Sequence, residues 1–189
     1  MTKQGYLVPA KVTVIDIEKY QPGYMDEYRD IYTNGIIQNK ERNLKAVDIA
    51  IRESKKGVVL IYIDIIEHGD IIVKMLEERK QKDFIFVHGN VKERKQILKD
   101  VVDGKYKIVI GSKIYGTGIN VPKFTTLVLV GGGKGTIKTI QLVGRMLRTN
   151  EGKEIVNIYD FKDDCKNLKN HYQKRIKIYK NLGFEVNEN

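Results

Sequence analysis

An open α/β sheet, largely parallel and covered by helices on both faces, is the fold class that this 189-residue sequence predicts. Three observations predict it. From Gly57 onward, short runs rich in Val, Ile, Leu and aromatic residues recur along the chain. They are mostly bounded by glycine or polar residues, as strands buried on both faces require. Between them lie stretches with helical periodicity, and strand–helix alternation is the signature of a parallel sheet built by crossovers.

In chain order, Val12–Ile17 reads as a short extended segment. Residues 25–35 and 40–56 read as two helical stretches with interleaved charges, separated at the Asn34-Gly35 pair. Strands are predicted at residues 58–63, 84–87, 107–110, 126–130 and 155–159, and helices at 67–80, 92–103 and 136–148. A Lys-rich helix over 163–182 ends at Gly183, with Ile176 and Tyr179 spaced to bury a narrow stripe. The resulting division is a linker and helical lead-in over 1–56 and an α/β domain with its C-terminal helix over 57–189.

Composition narrows the functional classes. The hydrophobic fraction of 41% and charged fraction of 31% are those of a globular protein. No apolar run approaches the roughly 20 residues of a membrane span. The N-terminus shows no secretory pattern, so a cytosolic protein is expected. Cys165 is the only cysteine, and His68, His88 and His171 lack zinc-ligand spacing, so no metal ligands are assigned. The formal charge of +10 and pI near 9.5 give a positive field suited to polyanions.

The segment with most chemical content is Gln141-Leu-Val-Gly-Arg-Met-Leu-Arg148. On a helix, Gln141, Gly144, Arg145 and Arg148 fall at i, i+3, i+4 and i+7 and share one face, leaving Leu142, Val143, Met146 and Leu147 for packing. The polar face offers two guanidinium groups and an amide, with Gly144 allowing close approach, and suits a phosphate-rich partner. Upstream, a strand runs into Gly111-Ser-Lys-Ile-Tyr-Gly-Thr-Gly-Ile-Asn-Val-Pro122, where Gly116 and Gly118 would let backbone amides approach a phosphate.

The ordered pair, Gly-x-Gly-Ile-Asn-x-Pro followed by Gln-x-x-Gly-Arg-x-x-Arg, resembles motifs V and VI of superfamily 2 helicases. Residues 58–63 with Glu67-His-Gly-Asp70 resemble motif IV and its helix, and residues 87–94 resemble the next conserved block. The likeness spans roughly residues 57–161 and is closest to phage and repair-type DNA helicases, which implies the second RecA-like domain of such a motor. By that resemblance Arg148 is an arginine finger for ATP held by a partner domain, Arg145 assists it, and Gln141 lines the same cleft. Gly116, Gly118 and Asn120 fall where motif V approaches the nucleotide, although many relatives carry Asp at the last position. Ser112, His88, Gly89 and Arg94 fall where the family contacts the nucleic-acid backbone. Such contacts read no bases.

The resemblance implies ATP and Mg2+, DNA (with RNA also compatible) and a first RecA-like domain as partners. That domain would carry Gly-x-x-x-x-Gly-Lys-Ser/Thr, a motif this sequence lacks. Gly131-Gly-Gly-Lys-Gly-Thr136 has its lysine in the wrong place and reads as a flexible loop opening a helix, and Asp64 reads as a strand-end acid, not a magnesium ligand. Gly5-Tyr-Leu-Val-Pro9 resembles the segment leaving the first motor domain, so a truncated piece or separately encoded half is expected, inactive as an ATPase alone. A standalone nucleic-acid-binding or regulatory module of the same fold is the alternative. A different small α/β enzyme has no nucleophile–base pair to support it.

Overall fold

In a computed structural model, residues 8–88, 94–111, 124–133, 143–144, 146–148 and 153–188 are described. Seven strands form one sheet: β1 (Ala10–Ile15), β2 (Val58–Tyr62), β3 (Phe84–Val87), β4 (Ile108–Gly111), β5 (Phe124–Leu129), β6 (Val156–Phe161) and β7 (Glu185–Asn187). Their order is β3-β4-β2-β5-β6-β1-β7, with every pairing parallel. The central strand β2 is buried along its whole length. Val58, Leu60 and Tyr62 point into one apolar layer, and Val59 and Ile61 into the other. That explains why its sequence reads as an unbroken apolar run instead of an alternating one.

The described α-helices are α1 (Tyr28–Tyr32), α2 (Lys40–Ser54), α3 (Ile66–Glu78), α4 (Arg94–Val102) and α5 (Lys166–Asn181). Ala46, Val47 and Ala50 of α2 and Ile72 and Leu76 of α3 cover one face. Val101 of α4, the side chains of Val143, Met146 and Leu147, and Tyr172, Ile176 and Tyr179 of α5 cover the other. Crossovers that progress one way along the sheet carry their helices on one face and those progressing the other way on the opposite face, as a single crossover handedness demands.

The chain ahead of Gly57 is more than a lead-in. Ala10–Ile15 forms a full strand between β6 and β7, in register from Ala10 opposite Val156 to Ile15 opposite Phe161. Helix α2 packs on the sheet, where the buried Glu53 takes Arg52, Lys56 and the Tyr159 hydroxyl. The break expected at Asn34-Gly35 falls later. A π-turn carries the chain through Thr33–Ile37, closed by the Gln38 amide donating to the Thr33 carbonyl at 2.8 Å. Asn39 then caps α2 by accepting from the Arg42 amide at 2.9 Å. Ile36 and Ile37 are buried with Leu168, so the register of this turn is set by tertiary packing and not by local turn chemistry. Strand β7, short and at the sheet edge, is additional to the strands that the sequence predicts; Gly183 at φ +76° turns the chain out of α5 and into it.

His68 of α3 is fully buried. Asn43 Nδ2 donates to the Ile37 carbonyl at 2.8 Å, so Asn43 Oδ1 accepts from His68 Nε2 at 2.8 Å and the ring is the Nε2–H tautomer. Burial, assisted by the Arg42 charge, pushes its pKa down to about 3. The unfolded ring binds a proton below about pH 6.5 while the folded ring stays neutral, so this group withdraws stability as pH falls from about 6.5 towards 3. Between pH 7 and pH 5 the loss should be about 2 kcal/mol. Urea unfolding of wild type and His68→Gln at both pH values checks this: the variant, which keeps a donor but cannot titrate, should lose correspondingly less. Identical pH dependence in the two would refute it.

Candidate functional site

All the strands are parallel, so every strand's carboxyl end lies on one edge of the sheet. Ligands of open α/β sheets gather at that edge, at the point where the strand order reverses. Here the reversal lies between β2 and β5, because the chain leaves β2 towards β4 and β3 and leaves β5 towards β6. At that point the crevice is occupied by the protein itself. Asp64, just beyond β2, accepts the Tyr32 hydroxyl at 3.1 Å and the Gly133 amide at 3.3 Å. Burial and the Asp64 charge hold the Tyr32 phenol well above its usual pKa, so it remains a neutral donor.

Glycines 131–133 are consequently packed tightly. A Cβ on Gly131 would lie 2.7 Å from Asp64 Oδ2 and 3.0 Å from the Asp64 main-chain nitrogen. One on Gly132 would meet Ile36 Cδ1 at 2.7 Å and Asp163 Oδ2 at 3.0 Å. The sequence reading of this stretch as a flexible loop is corrected for these three residues: glycine is needed for close approach. Asp64 is the strand-end acid expected, committed to two donors.

One strand further along, the edge is closed by a buried ionic network. Arg42 donates through Nη1 to Asp163 Oδ1 at 2.6 Å and through Nε to the Val130 carbonyl at 2.8 Å, with its guanidinium 4.6 Å from the centre of the Phe161 ring. Arg175 donates through Nε to Asp160 Oδ2 and through Nη2 to Asp160 Oδ1, both at 2.9 Å, and through Nη2 to Asp163 Oδ2 at 3.1 Å. The Tyr179 hydroxyl donates to Asp160 Oδ2 at 3.0 Å. Burial alone would lower the Arg175 pKa, but Asp160 and Asp163 outweigh it and hold that pKa above its usual value. None of these residues was singled out from the sequence. Arg175 sits in a Lys-rich helix and Arg42 among interleaved charges, and no local pattern separates a buried arginine from a solvated one.

The site residues expected from the sequence lie elsewhere. Val143, Met146 and Leu147 are buried in the apolar layer while Gly144 and Arg148 are exposed, which is the two-sided arrangement expected of this segment. A Cβ on Gly144 would meet no atom within 4 Å, so among the described residues nothing outside its own helical turn approaches it closely. Gln141 and Arg145 lie outside the described residues. Behind Arg148, the buried Lys153 ammonium donates to the Met146 carbonyl and, at 3.4 Å, to the Arg148 carbonyl, and burial pushes its pKa down to about 8.

His88 follows β3 at the carboxyl edge, half-buried, its ring 5.0 Å from that of Phe86. Arg94 is the first residue of α4, and its side chain lies outside the described set, as do Gly89, Ser112, Gly116, Gly118 and Asn120. The structure therefore places Arg148 and His88 among the expected site residues without bringing them together. Among the described residues no His, Cys, Asp and Glu side chains group as a metal site, and no helix is long and apolar enough to cross a membrane.

Comparison with known proteins shows the family and the fold. The profile of the family described as "Helicase conserved C-terminal domain" matches residues 39–150. The ATP-dependent DNA helicase uvsW of Enterobacteria phage T4 is 29% identical over 177 residues, covering 87% of this chain and 35% of that protein. UvrABC system protein B of Metamycoplasma arthritidis is 27% identical over 128 residues, covering 63% of this chain and 19% of that protein. The chain thus spans about a third or less of the length of these relatives. Among solved structures, T4 UvsW superposes with a TM-score of 0.73 at 22% identity, covering 94% of this chain and 40% of that one. The C-terminal domain of the DEAD-box protein Dbp5 gives 0.61 at 16%, covering 97% and 91%.

The two kinds of glycine should separate in stability measurements. Gly131→Ala, which drives a methyl into Asp64, should destabilise the fold by about 1–3 kcal/mol. Gly144→Ala, in open space on a helical turn, should leave it unchanged or more stable by up to about 1 kcal/mol. Chemical denaturation of both variants checks this, and an equal loss for the two would contradict the packing described.

Proposed function

This chain belongs to the helicase conserved C-terminal domain family, the second RecA-like domain of superfamily 2 helicases, and from that premise we propose that it is the C-terminal motor half of an ATP-dependent DNA helicase or translocase. The observation that carries the reading is the Val143–Arg148 segment. Its apolar side chains are sunk into the sheet layer, its glycine faces open space, and Arg148 projects from the surface with its main chain held from behind. An exposed guanidinium at such a surface suits an anion presented by another body, which is what ATP bound to a first RecA-like domain would supply. Charge spreads over the γ-phosphoryl oxygens during phosphoryl transfer, and Arg148, assisted by Arg145, would stabilise that charge. Gln141, Gly116, Gly118 and Asn120 would line the same cleft, while Mg2+ and the phosphate loop belong mainly to the other domain.

DNA is the proposed track because the phage T4 relative is a DNA helicase by name. Ser112, His88, Gly89 and Arg94 would meet its backbone. The formal charge of +10 favours association with either nucleic acid and would make binding fall steeply with salt.

The isolated chain should show negligible ATP hydrolysis with or without DNA. In the full-length protein Arg148→Ala should lower kcat roughly a thousandfold or more while leaving the thermal midpoint unchanged. Robust DNA-stimulated hydrolysis by the 189-residue chain alone would sink the half-motor reading. A full-length Arg148→Ala protein with every activity intact would instead favour a binding module that keeps the fold without serving an ATPase.

A further inference from the structure

The sheet reaches the end of the Val143–Arg148 turn through two donors. Strands β1 and β6 are in register with Ala10 opposite Val156, and the Val156 amide donates to the Pro9 carbonyl at 3.0 Å. Immediately ahead of those two strands stand Val8 and Lys153. The Val8 amide donates to the Leu147 carbonyl at 2.8 Å, and the Lys153 ammonium donates to the carbonyls of Met146 and Arg148. Three successive carbonyls are therefore held by groups anchored in two paired strands. The last carbonyls of a helical turn have no partners within it and carry partial negative charge, so an ammonium is well matched to them.

Lys153 is only 8% exposed. Burying an ammonium is costly, and an apolar side chain would fill the space without that penalty. Most other described lysines lie at the surface, whereas this one is buried and donates to the main chain on either side of Leu147.

We propose that Lys153 is a positioning residue for Arg148, a buried clamp that fixes the main chain from Met146 to Arg148 relative to β1 and β6 so that the guanidinium leaves the surface in one direction. The proposal rests on the reading of Arg148 as the group that meets ATP. A guanidinium that stabilises a transition state must be placed to within a fraction of an ångström, and the side chain alone, with its several rotatable bonds, cannot supply that precision. The clamp supplies a fixed origin.

The test uses the full-length protein carrying Lys153→Met, Lys153→Arg, Arg148→Ala and the Lys153→Met/Arg148→Ala double change. Lys153→Met should lower kcat for ATP hydrolysis roughly 10- to 100-fold with KM for ATP within about twofold, and Lys153→Arg should restore most of it. Added to Arg148→Ala, Lys153→Met should cost nothing further, because it acts through that residue. In the 189-residue chain, amide exchange at Leu147 and Val8 should quicken by roughly tenfold in Lys153→Met. Should Lys153→Met fail to fold, Lys153→Gln, a shorter neutral donor, carries the same expectations. Unchanged kcat in Lys153→Met where Arg148→Ala is crippled would overturn the clamp alone, as would losses that multiply in the double variant. Unchanged kcat in Arg148→Ala would overturn the reading of Arg148 and the proposal with it.

Discussion

The buried network of Arg175, Asp160, Asp163 and Arg42 is the constraint on which the rest of this structure depends. It joins α5, the end of β6, α2 and the end of β5, elements far apart in sequence, at one spot on the carboxyl edge. Four charges removed from water cost several kcal/mol each, so the network is tolerable only when nearly every lone pair and proton is matched. Asp160 comes close to that standard, accepting from Arg175, from the Tyr179 hydroxyl and from the Phe161 amide. Burial, followed by the Asp160 charge, holds the Tyr179 phenol well above its ordinary pKa, so it stays a donor and adds no further charge. Removing one member would strand its partner, a loss of about 3–5 kcal/mol. A network with that penalty fixes geometry more strictly than apolar packing, which tolerates repacking of similar volume.

Fixing that spot decides how the carboxyl edge is used. Arg42, Ile36 and Asp163 occupy the space beside Gly132, and Asp64 occupies the space beside Gly131 and Gly133. The crevice at the strand-order reversal, the default ligand position of such sheets, is thereby filled from within. On the proposed reading, outward chemistry would fall to groups outside that crevice, the segment ending in Arg148 among them. The proposed motor half would be served by this arrangement. A domain that completes another domain's nucleotide site does not need a crevice of its own, but it does need a rigid surface from which a cation can project.

The α/β alternation was legible in the sequence because buried parallel strands cannot hide. The run at 58–63 has no polar interruption, and β3 falls where Phe84-Ile-Phe-Val87 predicts it. The two-sided character of residues 143–148 was equally legible, since helical spacing assigns faces before any partner is known. What escaped reading depends on distance in sequence. The first strand was visible as an extended segment over 12–17, two residues late, but its place between β6 and β7 follows from pairing with residues some 146 positions later. The π-turn that displaced the expected break at Asn34-Gly35 exists because Ile36 and Ile37 bury against Leu168, which local turn preferences do not contain. Gly131–Gly133 and Gly144 look alike in sequence, yet the first three are crowded and the last faces open space. Only the neighbours distinguish them.

The cations show the same principle at the level of function. A count of +10 describes a field, but this structure divides its basic residues by what each must do. Arg42 and Arg175 are buried where a planar fork can satisfy two acceptors at once, a geometry that an ammonium cannot reproduce. Lys166, Lys169, Lys174, Lys177 and Lys180 stand exposed along α5, where compact, strongly hydrated ammonium groups cost nothing to keep in water. Lys153 departs from that division. It is a buried ammonium that donates to the main-chain carbonyls flanking Leu147, immediately behind the exposed Arg148. A basic residue placed against its ordinary preference, at the base of the residue to which the resemblance gives the catalytic role, is more informative about this protein than its total charge. Composition attracts a polyanion, whereas placement determines which one can be acted upon.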